Sequence, residues 1–126
     1  MTAIGALDIL IVDDHEGMRT LLRTMLERAG AMHIREAANA EAALAALEQR
    51  PAELILVDNM MPGMDGMALT QRARSDPRLG RARIIMITGR AEGRTADEAR
   101  AMGADALLVK PVTSRALIET IELVLA

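Results

Sequence analysis

Leu54-Ile55-Leu56-Val57 is apolar at every position, and Asp58 follows at once. A short run of bulky apolar residues with no polar alternation reads as a strand covered on both faces. That is the signature of a parallel sheet rather than of a sheet with one wet face. Three more runs share the pattern: Ile9 to Val12, Ile84 to Ile87 and Ala106 to Val109. A weaker fifth strand reads from Met32 to Ala37.

Helical spacing fills the intervals. Met18, Leu21, Leu22, Met25, Leu26 and Ala29 recur on one helical face, and Gly30 stands where that helix would stop. Asn39 predicts an N-cap for an Ala-rich helix ending near Gln49, with Pro51 just beyond. Gly66 to Ser75 reads as a third helix, and Thr95 to Met102, closed by Gly103, as a short fourth. Thr113 or Ser114 caps a last helix that carries Leu117, Ile121, Val124 and Leu125 on one face. Strand and helix thus alternate five times. The expected fold is α/β, a five-stranded parallel doubly wound sheet with five helices joined by right-handed crossovers. No repeat, low-complexity tract or linker divides residues 1–126, so one domain is expected, with no output domain after the fifth helix.

Composition bounds the chemistry. Half of the 126 residues are apolar, enough for a core without a disulfide or structural metal. The absence of cysteine excludes thiolate nucleophiles and cysteine–zinc sites and fits a cytoplasmic protein. No stretch of about 18 apolar residues is present, so no membrane span is expected. A net charge of −3 and the lack of any aromatic residue argue against nucleic-acid binding, which needs a cationic field and stacking platforms. Of the 15 cationic residues 14 are arginine, and the one lysine is Lys110. A site that needs a compact point charge on a flexible stem would account for that exception.

In open α/β sheets ligands bind beyond the carboxyl ends of the strands. Asp13 and Asp14 follow the first strand, Asp58 the third, Thr88 the fourth and Lys110 the fifth. Singly these are ordinary turn residues, but the fold brings them to one edge. Clustered carboxylates repel each other, and a divalent cation removes that penalty. Hard oxygen ligands near solvent suit magnesium, which keeps waters and shares phosphoryl oxygens. A carboxylate can also attack phosphorus and form an acyl phosphate. Mg²⁺ and Lys110 would neutralise charge on the transferring group, with a hydrogen bond from the Thr88 hydroxyl.

The segments ILIVDD (9–14), VDNMMPGMDG (57–66), IIMITG (84–89) and LLVKP (107–111), in this order, resemble the receiver domains of bacterial response regulators of the CheY kind. The intervals agree as well: 44 residues from Asp14 to Asp58, 30 on to Thr88 and 22 on to Lys110. The resemblance implies a sheet order of 2-1-3-4-5. It implies Asp58 as phosphoacceptor, and Asp14, Asp58 and the Met60 backbone carbonyl as direct Mg²⁺ ligands, with Asp13 acting through a water. Lys110 would contact Asp58 at rest and a phosphoryl oxygen afterwards, while Thr88 would swing in to the phosphoryl group. A cis peptide is implied between Lys110 and Pro111. The phosphoryl donor would be a sensor histidine kinase or a histidine phosphotransfer protein, and an unidentified downstream protein would read the result. Such a chain is no enzyme beyond promoting its own phosphorylation and dephosphorylation, and is a monomer or weak dimer.

The sequence departs from the family where the signal is relayed. An aromatic residue usually stands three positions before the lysine, where this chain has Leu107, and Val112 follows the Lys-Pro pair where Phe is frequent. The usual coupling of threonine to a tyrosine ring has no ring to move. Either Leu107 is an inert core residue, or the signal is read through the segment 89–95 after Thr88, with Gly89 and Gly93, which is the route expected here. Met60 and Arg90 stand two positions after Asp58 and Thr88, bordering the phosphoryl group, and a thioether orients water poorly, which predicts a long-lived acyl phosphate. Met18, Met25, Met61 and Met86 are expected in the core; Met60, Met64 and Met67 are expected in core or loop packing after Asp58, with partner binding as the alternative. His15 is expected to face solvent and His33 to be structural. A receiver fold that works without phosphorylation would have lost an acidic residue or Lys110, and a flavodoxin-like enzyme would need a phosphate-cradling first loop rather than DDHEGM (13–18).

Overall fold

The computed structural model describes residues 4–89 and 95–126. A short 3₁₀ turn (Ile4–Ala6) leads into β1 (Asp8–Val12), α1 (Glu16–Arg28), β2 (His33–Ala37), α2 (Ala40–Gln49), β3 (Leu54–Asp58), α3 (Gly66–Ser75), β4 (Arg83–Thr88), α4 (Ala96–Ala101), β5 (Ala106–Val109) and α5 (Ser114–Leu125). The five strands form one sheet in the order β2-β1-β3-β4-β5, all parallel. The doubly wound α/β expectation therefore holds.

The apolar runs are central because both faces of the sheet are covered. Leu10, Val12, Ile55, Val57, Ile84 and Met86 point to one core, closed by α2, α3 and α4. Ile9, Ile11, Leu54, Leu56, Ile85 and Ile87 alternate to the other, closed by α1 and α5. Successive strand residues face opposite ways, so a strand with two buried faces must be apolar throughout.

Helix starts follow the side chains that satisfy free backbone N–H groups. Asn39 accepts from Ala42 N–H, Asp65 from Ala68, Thr95 from Glu98 and Thr113 from Ala116. Thr113, not Ser114, is thus the last cap. Glu98 also reaches back to Thr95 N–H and completes a capping box.

Some expectations shift. Met32 is exposed and lies outside β2, which begins at His33. His33 is itself exposed, because β2 is an edge strand, so it has no core role. Met61, Met67 and Met86 are buried, whereas Met18, Met25 and Met64 are only half-buried against the core. Met60 is 59% exposed and fills no interior space. Arg90 and most of the 89–95 segment lie outside the described residues. No helix among the described residues is long and apolar enough to cross a membrane.

Candidate functional site

The carboxyl ends of β1, β3, β4 and β5 lie side by side, and the sheet ladder runs on into the loops that leave them. Asp13 N–H donates to the Ala37 carbonyl at 3.1 Å, Asn59 N–H to Ile87 at 2.9 Å and Lys110 N–H to Thr88 at 2.8 Å. Asp13, Lys110 and the residue after Asp58 are therefore fixed by backbone to the neighbouring strand, so strand order places these parts of the cluster.

Asp13 and Asp58 are buried, at 1% and 2% exposure, and Asp14 is partly exposed beside them. Lys110 Nζ donates to Asp58 Oδ1 at 3.2 Å. The Met60 backbone N–H faces the Asp58 carboxylate and favours its charged form. Among the described residues, Asp13 Oδ2 and Asp58 Oδ2 are buried and accept no hydrogen bond. Asp14 Oδ1 is likewise unsatisfied, although His15 Nδ1 lies 3.1 Å away. Burial pushes the Asp58 carboxyl above the usual carboxylate range, and the negative charge of Asp13 adds to it. Lys110, by charge and hydrogen bond, and the Met60 N–H oppose this without cancelling it.

Such an arrangement is costly as it stands, since each buried anionic oxygen without a partner forfeits its hydration. One ligand atom from each of Asp13, Asp14, His15 and Asp58 falls within 4.8 Å of the others. Buried, unsatisfied carboxylate oxygens at that spacing fit a hard divalent cation.

Asp13, Asp14, Asp58 and Lys110 are therefore brought together. Thr88 ends β4, buried, its hydroxyl donating to the Gly89 carbonyl at 3.3 Å. The Lys110-Pro111 peptide is cis, as implied by the resemblance. Leu107 lies on β5, half-buried against the core of the α2–α3–α4 face. His15 is exposed as expected, but its ring turns back towards both acidic side chains, 3.3 Å from Asp13 Oδ1 and 3.1 Å from Asp14 Oδ1.

Two contributors were not legible in the sequence. Arg19, one turn into α1, donates to the Asp13 carbonyl at 2.8 Å and to Glu36 of β2 at 3.1 Å, tying the acidic turn to the sheet edge. Gly66 opens α3 directly over β3: a Cβ there would stand 2.5 Å from the Asp58 carbonyl oxygen and 2.9 Å from Asn59 Cα. No local pattern marks Arg19. Gly66 was visible only as a motif letter, without its steric reason.

Comparison with known proteins agrees with this geometry. The model of the response regulator receiver domain matches residues 9–122. The chain is 35% identical to the chemotaxis protein CheY of Pseudomonas aeruginosa over 114 residues, 90% of this chain and 92% of that protein. It is 36% identical to the phosphate regulon transcriptional regulatory protein PhoB of the same organism over 117 residues, 93% of this chain but 51% of the longer protein. Among solved structures, a putative response regulator from Chloroflexus aurantiacus superposes with a TM-score of 0.88 at 28% identity, covering 94% of this chain and 97% of that one. With a parallel sheet of order 2-1-3-4-5, an acidic pocket at its carboxyl edge and a lysine closing it, the chain belongs to the family of response regulator receiver domains.

Proposed function

We propose that this domain is a phosphorylation switch in which Asp58 accepts a phosphoryl group from a phosphohistidine, on a sensor histidine kinase or a histidine phosphotransfer protein. The observation that carries the proposal is the Asp58 carboxylate, buried with one oxygen held by Lys110 and the other unpartnered among the described residues, in an acidic cluster. An Asp58 oxygen attacks phosphorus as the bond from phosphorus to the imidazole nitrogen breaks, and the electron pair of that bond stays on the nitrogen. Asp13, Asp14 and Asp58, with the Met60 backbone carbonyl, are the set that would hold Mg²⁺, Asp13 through a water. When bound, the ion supplies neutralisation of carboxylate and phosphoryl charge. Lys110 moves from Asp58 to a phosphoryl oxygen, keeping its ammonium within the buried site. The Thr88 hydroxyl turns to donate to the same group.

The acyl phosphate is lost to water, so the domain promotes only its own phosphorylation and dephosphorylation and turns over no external substrate. Its output is a changed protein-interaction surface, read by a downstream protein. With Leu107 at the usual aromatic position, the read-out runs through the segment after Thr88. A cytoplasmic setting, a monomeric or weakly dimeric state, and no nucleic-acid or membrane partner complete the reading.

Beryllofluoride with Mg²⁺ tests it. Binding should shift amide resonances of Asp58, Thr88, Lys110 and residues 89–95, and Asp58→Asn should abolish the response. Acetyl phosphate should add one phosphoryl group by mass to the wild type alone. Failure of both reagents would mark a receiver fold that acts without phosphorylation, whereas shifts that spare residues 89–95 would remove only the proposed read-out route.

A further inference from the structure

His15 is the one side chain of the acidic cluster that the proposed phosphoryl chemistry leaves unused. It occupies the N-cap of α1, where Ser, Thr, Asp or Asn is usual because their side chains accept from the first helical N–H groups. The His15 side chain makes no such bond. Its backbone N–H instead donates to Asp13 Oδ1 at 2.8 Å, and its carbonyl accepts from Arg19 N–H at 3.1 Å. The backbone is thus pinned at both ends while the imidazole remains uncommitted, 70% exposed, with Nδ1 against the carboxylates of Asp13 and Asp14.

We propose that His15 supplies a nitrogen ligand through Nδ1. The pocket then takes a first-row transition-metal dication, of the Ni²⁺ or Co²⁺ kind, with the imidazole bound directly. The inference rests on the reading of this pocket as a cation site and adds a second class of cation to it.

Geometry supports a shared ion. Ligand atoms about 2.1 Å from a metal stand roughly 3 Å apart when adjacent and 4 Å when opposite in an octahedral shell. The four donor atoms of Asp13, Asp14, His15 and Asp58 all lie within 4.8 Å of one another. The 3.1 Å from Nδ1 to the unsatisfied Asp14 Oδ1 already matches adjacent positions. Independently, the buried Asp13 Oδ2 and Asp58 Oδ2 have no hydrogen-bond partner among the described residues and can turn their lone pairs to an ion. The exposed face of the ring leaves an entry path.

Ligand chemistry sets the selectivity. Magnesium prefers oxygen and keeps its waters, so an imidazole at the rim adds little to its affinity. Imidazole suits nickel, cobalt, zinc and copper, whose affinities for nitrogen sites rise along the first row. A receiver pocket of carboxylates alone offers such ions only hard donors, whereas this one offers a mixed set.

The full chain, its His15→Gln and its His15→Ala variants are titrated with Mg²⁺, Ni²⁺ and Co²⁺ alone at one fixed pH. Loss of His15 should weaken Ni²⁺ and Co²⁺ binding on the order of 10- to 100-fold, and leave Mg²⁺ affinity within about twofold. In the Co²⁺-loaded wild type, a strongly shifted imidazole N–H proton signal should appear and be missing from both variants. Unchanged Ni²⁺ affinity, equal loss of all three metals, or no shifted imidazole proton overturns the role of His15 while Mg²⁺ binding still stands. Absence of binding by every metal to the wild type sinks the cation-site reading itself.

Discussion

Gly66→Ala tests whether the roof of the site is set by backbone contact. The new Cβ would stand 2.5 Å from the Asp58 carbonyl oxygen, 2.9 Å from Asn59 Cα and 3.1 Å from the Asp58 carbonyl carbon. Ordinary contacts between such atoms lie near 3.5 Å, so relief requires a shift of about 1 Å. All three atoms are backbone, and Gly66 N–H is itself bonded to the Asn59 carbonyl at 2.9 Å, so no side chain can yield instead. Overpacking of this kind costs about 1–3 kcal/mol. The helix preference for Ala over Gly returns up to about 1 kcal/mol. The expected net loss is about 1–2 kcal/mol, which at a urea dependence of about 1–3 kcal/mol/M lowers the midpoint by roughly 1 M. Gly17→Ala is the matched control, because its Cβ meets nothing within 4 Å in α1 and only the propensity gain remains. That variant should be stabler by about 0.5–1 kcal/mol. Because the strain in Gly66→Ala falls on Asp58, the variant should also bind Mg²⁺ more weakly than Gly17→Ala. Equal urea midpoints for the two variants, with equal Mg²⁺ affinity, would refute the contact argument.

Asp58→Asn should raise stability in metal-free buffer near neutral pH. The native state holds a proton on Asp58 more tightly than the unfolded chain, whose reference is 3.8, so stability from this group is full below that value. It is lost as pH rises through the higher native pKa. The gap between variant and wild type, read by urea melts from about pH 4 to 7, should therefore widen with pH and close on adding Mg²⁺; a constant gap would contradict the burial argument. Arg74 donates to the carbonyls of Gly103, Gly80 and Ala82 and to Asp105, joining the end of α3 to the starts of β4 and β5. Arg74→Ala should cost about 2–4 kcal/mol. Arg74→Lys should recover less than half of it, since an ammonium lacks the planar fork, and full recovery in thermal melts would count against the network. Met60→Asn should shorten the lifetime of the acyl phosphate, followed by loss of the phosphoryl mass with time; an unchanged lifetime would show that the exposed thioether is not what slows water.

The apolar runs announced the strands because burial on both faces forbids polar alternation. The one run that failed in part, Met32 to Ala37, belongs to the edge strand, where burial is weakest and pattern fades. Caps were legible where one side chain satisfies N–H groups a few residues on, as with Asn39 and Thr113. The acidic cluster was legible because a parallel sheet forces all strand ends to one edge, so the order of Asp13, Asp14, Asp58, Thr88 and Lys110 along the chain sufficed to group them.

What stayed hidden depends on distance between segments remote in sequence. Arg19 reaches the Asp13 carbonyl because α1 folds back over β1, and nothing in a helical arginine announces its target. His15 looked like a solvent-facing loop residue, and exposure was read correctly, yet ring orientation depends on the local turn that Asp13 closes. Periodicity and chain order alone carry the fold class and group Asp13, Asp14, Asp58, Thr88 and Lys110 at one edge. Which carboxylate oxygens lack partners, which backbone Gly66 roofs over and where His15 points are set by contacts between remote segments. Packing, not pattern, brings those groups together.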